Sequence, residues 1–270
     1  MNSELQSHIS QIRESALKNN LKSDELLRLT KDCISQKADK QYLHQLLDIA
    51  HLSNVSRHIH KTKQIDLWFS YIVEIIKLSC FNVGYLLKQR GERYKDKVAF
   101  HIIKKGKPNN VSYDSLWKKV IEVGKGLFLF SNHSKKPTIG LLTHNQFNGV
   151  LVDLACLSFG FKVVPIPLNS TPEHVSYIIN HSEISHLFIC GKIGKKIWGE
   201  VKNSHDIIAI DMSEIKTTSN YALNWNSFIS SSDTVEEFDV DHLLAKVDIN
   251  DIQTVMSVSY THLRAHETTN

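Results

Sequence analysis

Residues 137–190 read PTIGLLTHNQFNGVLVDLACLSFGFKVVPIPLNSTPEHVSYIINHSEISHLFIC. Apolar runs recur at 138–142, 162–165 and 185–189, and both intervals between them carry helix-period sequence. This spacing predicts parallel strands joined by helical crossovers, an α/β fold. Gly160 is placed to stop the first helix. Thr171-Pro172-Glu173 opens the second with a cap, a first-turn proline and an N-terminal acid in the preferred order. A helix following 191–194 and reaching about Val201, then a short strand at 207–210, extend the series to an open, doubly wound sheet.

Working outward, residues 1–80 read as short helices, with no Pro or Gly before Gly84. Ser3 opens one helix, with Leu5, Ile9, Ile12 and Ala16 on one face. Ser23-Asp24-Glu25 opens a second, and Tyr42, Leu43, Leu46, Leu47 and Ala50 mark a third. Residues 65–78, IDLWFSYIVEIIKL, are the most amphipathic segment. Their polar face lacks the Lys/Arg excess of interfacial helices, so docking on the following domain is the expectation. The run is either a helical interaction module or an extension packed on the next domain, and the second is preferred because periodicity names no partner. From Asn82, a cap, a helix runs through Leu86, Leu87 and Tyr94. Residues 98–103 and 111–113 read as a hairpin turned by KKGKPNN. Ser112 or Asp114 then caps a helix through Leu116, Val120, Val123, Leu127 and Phe130. Downstream, 221–229 has helical potential with Trp225 and Phe228 inward, 233–241 reads as a solvated acidic linker, and DINDIQTVM begins another buried strand.

With 270 residues, 41% hydrophobic and 22% charged, the composition is that of a soluble globular protein. A net charge of +4 is too mild to imply nucleic acid, and no nucleic-acid partner is expected. The cysteines, 33, 80, 156 and 190, form no CxxC pair and read as buried thiols in a reducing compartment. The first residues lack the apolar core of a signal peptide, and residues 65–80 are too short and too charged to span a bilayer. The expected location is cytoplasmic, without a transmembrane segment; peripheral membrane contact stays open.

Few motifs carry chemistry. Gly191-Lys-Ile-Gly194-Lys-Lys lacks the spacing and the Ser/Thr of a phosphate-cradling P-loop, and its place between strand and helix suits a turn better than an RNA clamp. No GxGxxG is present. Fifteen histidines stand out. His44, His51, His58 and His60 lie in the helical run, where solvent-facing side chains are expected rather than a zinc site. His144 follows a strand, where open α/β sheets place ligand contacts, and Asn145 is the expected cap of the next helix. No Ser/His/Asp or Cys/His set has supporting context. No catalytic, cofactor-binding or metal-binding residue is assigned.

Three stretches carry a resemblance. FNVGYLLKQRGERYKDKVAF at 81–100 is similar to the first helix and strand of the adenylate-forming, AMP-binding acyl-CoA synthetase superfamily. Ser112-Tyr113-Asp114-Ser115-Leu116 resembles that family's (T/S)-Y-x-x-L helix start. Residues 154–189 resemble its early core motif, and Ile179-Asn180-His181-Ser182-Glu183 looks most like the long-chain fatty acid–CoA ligase branch. The resemblance implies a partial N-terminal domain of the adenylate-forming fold over 81–256, preceded by an all-helical extension over 1–80. It also implies the activity of an acid–thiol ligase. A fatty acid and ATP give acyl-AMP and pyrophosphate, and CoA then displaces AMP. ATP, Mg2+ and CoA are the implied cofactors of the intact enzyme. An acyl-AMP ligase, an amino-acid adenylation domain, or a non-enzymatic α/β protein with a helical interaction module are the alternatives.

In that family a segment like 248–256 leads into a Ser/Thr/Gly-rich phosphate loop of the form YTSGTTGxPKG. Here SVSYTHLRAHETTN follows instead. It resembles translated adapter read-through, so 257–270 is expected to be a non-native tail rather than a disordered natural terminus. His262 and His266, at i, i+4, are set aside with it. Without the later segments, the chain is expected to be inactive and to bind none of the cofactors well.

Overall fold

The computed structural model describes residues 2–104, 106–131, 136–213 and 223–256. It divides into two compact units, residues 1–89 and residues 90 onward. The first is helical: α1 (Asn2–Leu17), α2 (Ser23–Ser35), α3 (Lys40–Ala50), α4 (Ser53–Lys61), α5 (Ile65–Ser79) and the start of α6 (Val83–Arg93). The apolar spacing of α2, α3 and α5 buries Leu26, Leu43, Leu46, Leu47, Trp68 and Ile75 in one core. Each such side chain contributes about 1.5–3 kcal/mol of burial. Asn82 Oδ1 accepts the Tyr85 N–H at 3.2 Å and starts α6 as expected.

The sequence does not single out one helix of this run, and one expectation is corrected. Helix α4 was not legible, because its inward residues, Val55 and Ile59, are spaced among Arg57, His58, His60 and Lys61. His44 does not face solvent; its ring packs on Tyr85 at 4.5 Å and Phe81 at 5.3 Å. Its Nε2 is buried without a hydrogen-bond partner, and burial lowers its pKa.

The second unit opens with an antiparallel hairpin, β1 (Val98–Lys104) and β2 (Lys107–Ser112). The turn is shorter than the sequence suggests, since Lys104 already pairs with Lys107 and Pro108 lies within β2. Proline is tolerated there because this two-stranded pair is all edge. Ser112 Oγ caps α7 (Tyr113–Leu129), accepting the Ser115 N–H at 3.2 Å.

Then follow β3 (Thr138–Leu142), α8 (Phe147–Phe159), β4 (Lys162–Pro165), α9 (Pro172–His181), β5 (Ile184–Ile189), α10 (Gly191–Val201) and β6 (Ile208–Asp211). A two-residue β7 (Leu223–Asn224) completes a five-stranded sheet of order β4-β3-β5-β6-β7, parallel at every pairing. Thr171 caps α9 and Gly160, at φ +70°, ends α8, both as the sequence predicts. One face of the sheet packs Leu142, Val164, Leu187 and Ile189 against α9 and α10 through Val175, Ile178, Ile197 and Trp198. On the other face, Phe228 of α11 (Trp225–Ser231) meets Phe188 at 5.2 Å.

Three downstream expectations change. The helical potential at 221–229 becomes β7 and α11, with Phe228 buried but Trp225 only partly so; Tyr221 lies outside the described residues. The acidic stretch is not simply solvated, because Phe238 packs edge-on against Phe159 and Phe128 at 5.2 and 5.4 Å. It leads into α12 (Val240–Ala245). Residues 253–255 join β4 through Val163, which donates to Gln253 O at 2.8 Å and accepts from Val255 N at 3.0 Å. The contact is one parallel bridge, not a buried strand, and Ile252 and Met256 stay exposed. The tail at 257–270, with His262 and His266, lies outside the described residues.

Candidate functional site

From β3 the chain crosses to one side to form β4, then returns past β3 to form β5. The reversal opens a crevice beyond the carboxyl ends of β3 and β5, the position at which open α/β sheets bind ligands. Two features singled out from the sequence meet there. Gly191 begins α10 at φ +76°, and a Cβ on it would stand 3.1 Å from His144 Nδ1. The backbone conformation and the neighbouring ring both call for glycine. The run 191–196 is thus not a separate loop: it is the first turn of α10, with Lys192, Lys195 and Lys196 projecting from it.

His144 is exposed. Asn145 does not cap α8; Gln146 does, its Oε1 accepting the Asn148 N–H at 3.0 Å. The longer side chain also reaches the segment after β6, where Gln146 Nε2 lies 3.5 Å from Met212 S. Asn148 Nδ2 donates to Met212 O at 3.2 Å. These contacts tie the start of α8 to Met212, just after β6.

Asp211, the last residue of β6, is the buried carboxylate of this edge. Its Oδ2 lies 2.7 Å from Lys195 Nζ, and its Oδ1 accepts Ser213 N and Oγ at 2.9 and 2.6 Å. Sequence reading missed both partners, although a charged residue ending an apolar run, IAID, is a signal for a carboxyl-edge position. Beside the crevice, β3, α8 and the segment after β4 enclose a cleft of about 360 Å³ lined by His144, Gln146, Val150, Asp153 and Ile166. Burial there holds the Asp153 carboxyl above its usual range.

The arrangement orients polar groups and a cationic helix start at the carboxyl edge, but it is not a complete catalytic set. Among the described residues no three His, Cys, Asp or Glu side chains converge on a metal position. The contact of Ser185 Oγ with His186 Nδ1, 3.0 Å, lies at the opposite end of β5. There His186 stacks on Phe130 at 4.2 Å with its Nε2 buried and unpartnered. His51 Nδ1 is spent on the Leu47 carbonyl at 2.6 Å.

A family model described as AMP-binding enzyme matches residues 87–261. Comparison with curated protein sequences gives no significant match. Among solved structures, coronafacic acid ligase from Pectobacterium brasiliense is 19% identical with a TM-score of 0.52, the match covering 65% of this chain and 33% of that one. A fatty acyl CoA synthetase of Mycobacterium tuberculosis is 14% identical with a TM-score of 0.51, covering 67% and 33%. The N-terminal domain of FACL13 from the same organism gives 14% and 0.51, covering 66% and 42%. At these identities the likeness is one of fold, and the chain spans about a third of the length of the first two.

Proposed function

This chain belongs to the AMP-binding enzyme family, and we propose that it forms the N-terminal part of an ATP-dependent fatty acyl-CoA synthetase. The observation that carries the reading is the family match over 87–261 lying on the parallel βα units of the second unit. The proteins with the same fold include a fatty acyl CoA synthetase and a coronafacic acid ligase, so a carboxylic acid is the substrate class. The fatty-acid choice rests on the 179–183 phrase.

In the proposed reaction of the longer protein, the carboxylate attacks the α-phosphate of ATP, releasing pyrophosphate and forming acyl-AMP. The CoA thiol then adds to the acyl carbon, loses its proton and expels AMP. Both steps build charge that fixed donors and cations must stabilise. The described residues do not fit an ATP·Mg2+ site on their own. No carboxylate cluster converges, and Asp211 is already engaged by Lys195 and Ser213. No step is therefore assigned to a residue of this chain, and its part is scaffold. A cytoplasmic setting is part of the proposal: the four cysteines are free, which suits a reducing compartment. Among the described residues, no single helix is long and apolar enough to cross a membrane.

The test is thioester formation from a panel of fatty, aromatic and amino acids. The 270-residue chain and the product of its full source gene are compared, with ATP, Mg2+ and CoA. The short chain is expected to give no turnover, and the longer product to form fatty acyl-CoA. Turnover by the short chain, or acyl-AMP that is never passed to CoA by the longer one, would overturn the reading.

A further inference from the structure

Helix α5 turns one wide apolar face into the core of the helical unit and leaves two large apolar side chains outside it. Trp68 and Ile75 face the core at 2% and 0% exposure, while Phe69 and Val73 stand at 60% and 50%. Ile65, Ile72 and Ile76, only partly buried, pack against that core, and Phe69 and Val73, four residues apart, lie together outside it.

The neighbouring sequence supplies the charge. Residues 49–65 contain no Asp or Glu, and Arg57, His60, Lys61 and Lys63 are all exposed. Lys61 ends α4, Lys63 forms the turn at φ +58°, and Leu67, itself 45% exposed, follows four residues later. The polar face of α5 alone, with Asp66, Glu74 and Lys77, gives no cationic excess. The α4–α5 turn provides it at the amino end of the helix that carries Phe69 and Val73.

We propose that Phe69 and Val73 of α5 and the basic α4–α5 turn form a docking surface for an anionic lipid bilayer. The helix lies in the interface plane, with Phe69 and Val73 in the acyl boundary and Lys61 and Lys63 at the headgroups. At fifteen residues α5 is too short to span. Anionic headgroups complement the uncompensated cations; a neutral apolar protein face does not.

The experiment is co-sedimentation of the full 270-residue chain with vesicles of phosphatidylcholine alone and of phosphatidylcholine mixed with phosphatidylserine. Binding to the mixed vesicles is expected to exceed binding to the neutral ones by roughly tenfold or more, and to fall with added salt. F69S/V73S and K61E/K63E are each expected to lose it by a similar factor. Their helical circular dichroism should match the parent's, because all four side chains are exposed. Equal binding to both vesicles, no binding to either, or full binding by F69S/V73S overturns the proposal. A dimer abolished by F69S/V73S in the absence of vesicle binding does so too, by assigning these side chains to a second copy.

Discussion

Gly194 lies so close to the end of β3 that a Cβ on it would stand 2.7 Å from the Leu142 carbonyl oxygen. That oxygen also accepts the Cys190 N–H at 3.3 Å. The first turn of α10 is thereby pressed onto the carboxyl edge of the sheet, and neither backbone can retreat without losing the bond. Gly194→Ala is expected to destabilise the second unit by about 1–3 kcal/mol. Gly199 in the same helix has nothing within 4 Å of a Cβ, so Gly199→Ala should stabilise by about 0.5 kcal/mol. Urea midpoints for the two variants check the contrast, and similar shifts would refute the close approach.

The Lys195–Asp211 pair is unequally buried, with side chains 28% and 5% exposed. Removing the cation leaves a buried carboxylate with only its other bonds, whereas removing the negative charge frees a lysine that can turn to water. Lys195→Met should therefore cost more, about 2 kcal/mol, than Asp211→Asn, about 1 kcal/mol. Asp211→Asn also keeps an oxygen for Ser213. Denaturant unfolding at pH 7 measures both, and the reverse order would place the pair in solvent.

Burial pushes the His186 pKa down to about 4. The unfolded chain, with an ordinary value near 6.5, binds the proton first as the pH falls. Stability is thus complete above about pH 6.5 and declines between there and pH 4, by up to roughly 3 kcal/mol. Burial lowers the His44 pKa in the same sense. His186→Leu also removes an unpartnered buried nitrogen. It is expected to flatten the acid slope with little loss at pH 7. Unfolding curves across that window decide it, and an unchanged slope in His186→Leu would contradict the assignment.

The thiols should separate by access. Burial raises Cys33 to about 11 and Cys156 well above its ordinary value, and Cys190 is 8% exposed. Cys80, half-buried at the end of α5, is the reachable one. Ellman's reagent at pH 8 is expected to modify one thiol quickly and the other three only on denaturation. Rapid reaction of more than one would show the cores to be open.

Much of the scaffold was legible because its signals are local. The alternation of β-rich runs with helix-period sequence from Thr138 to Ile210 needs no tertiary knowledge, and Ser112, Thr171 and Gly160 punctuate it by backbone chemistry alone. What failed depends on partners distant in sequence. Gln146, not Asn145, caps α8 and also reaches Met212, and Phe238 leaves an acidic stretch to pack on Phe128 and Phe159. His44 is drawn inward by Phe81 and Tyr85. At the carboxyl edge, His144 was visible as a strand-end residue, whereas Asp211 and Lys195 became a pair only when β6 came to lie beside β5.

On the proposed function, residues 81–256 are scaffold for an adenylation site completed by later sequence. An independent read of the source gene beyond codon 256 tests it most directly. The expected result is an open frame continuing into a Ser/Thr/Gly-rich, Tyr-Thr-Ser-Gly-type loop. A natural frame that carries SVSYTHLRAHETTN and stops at codon 270 would contradict it.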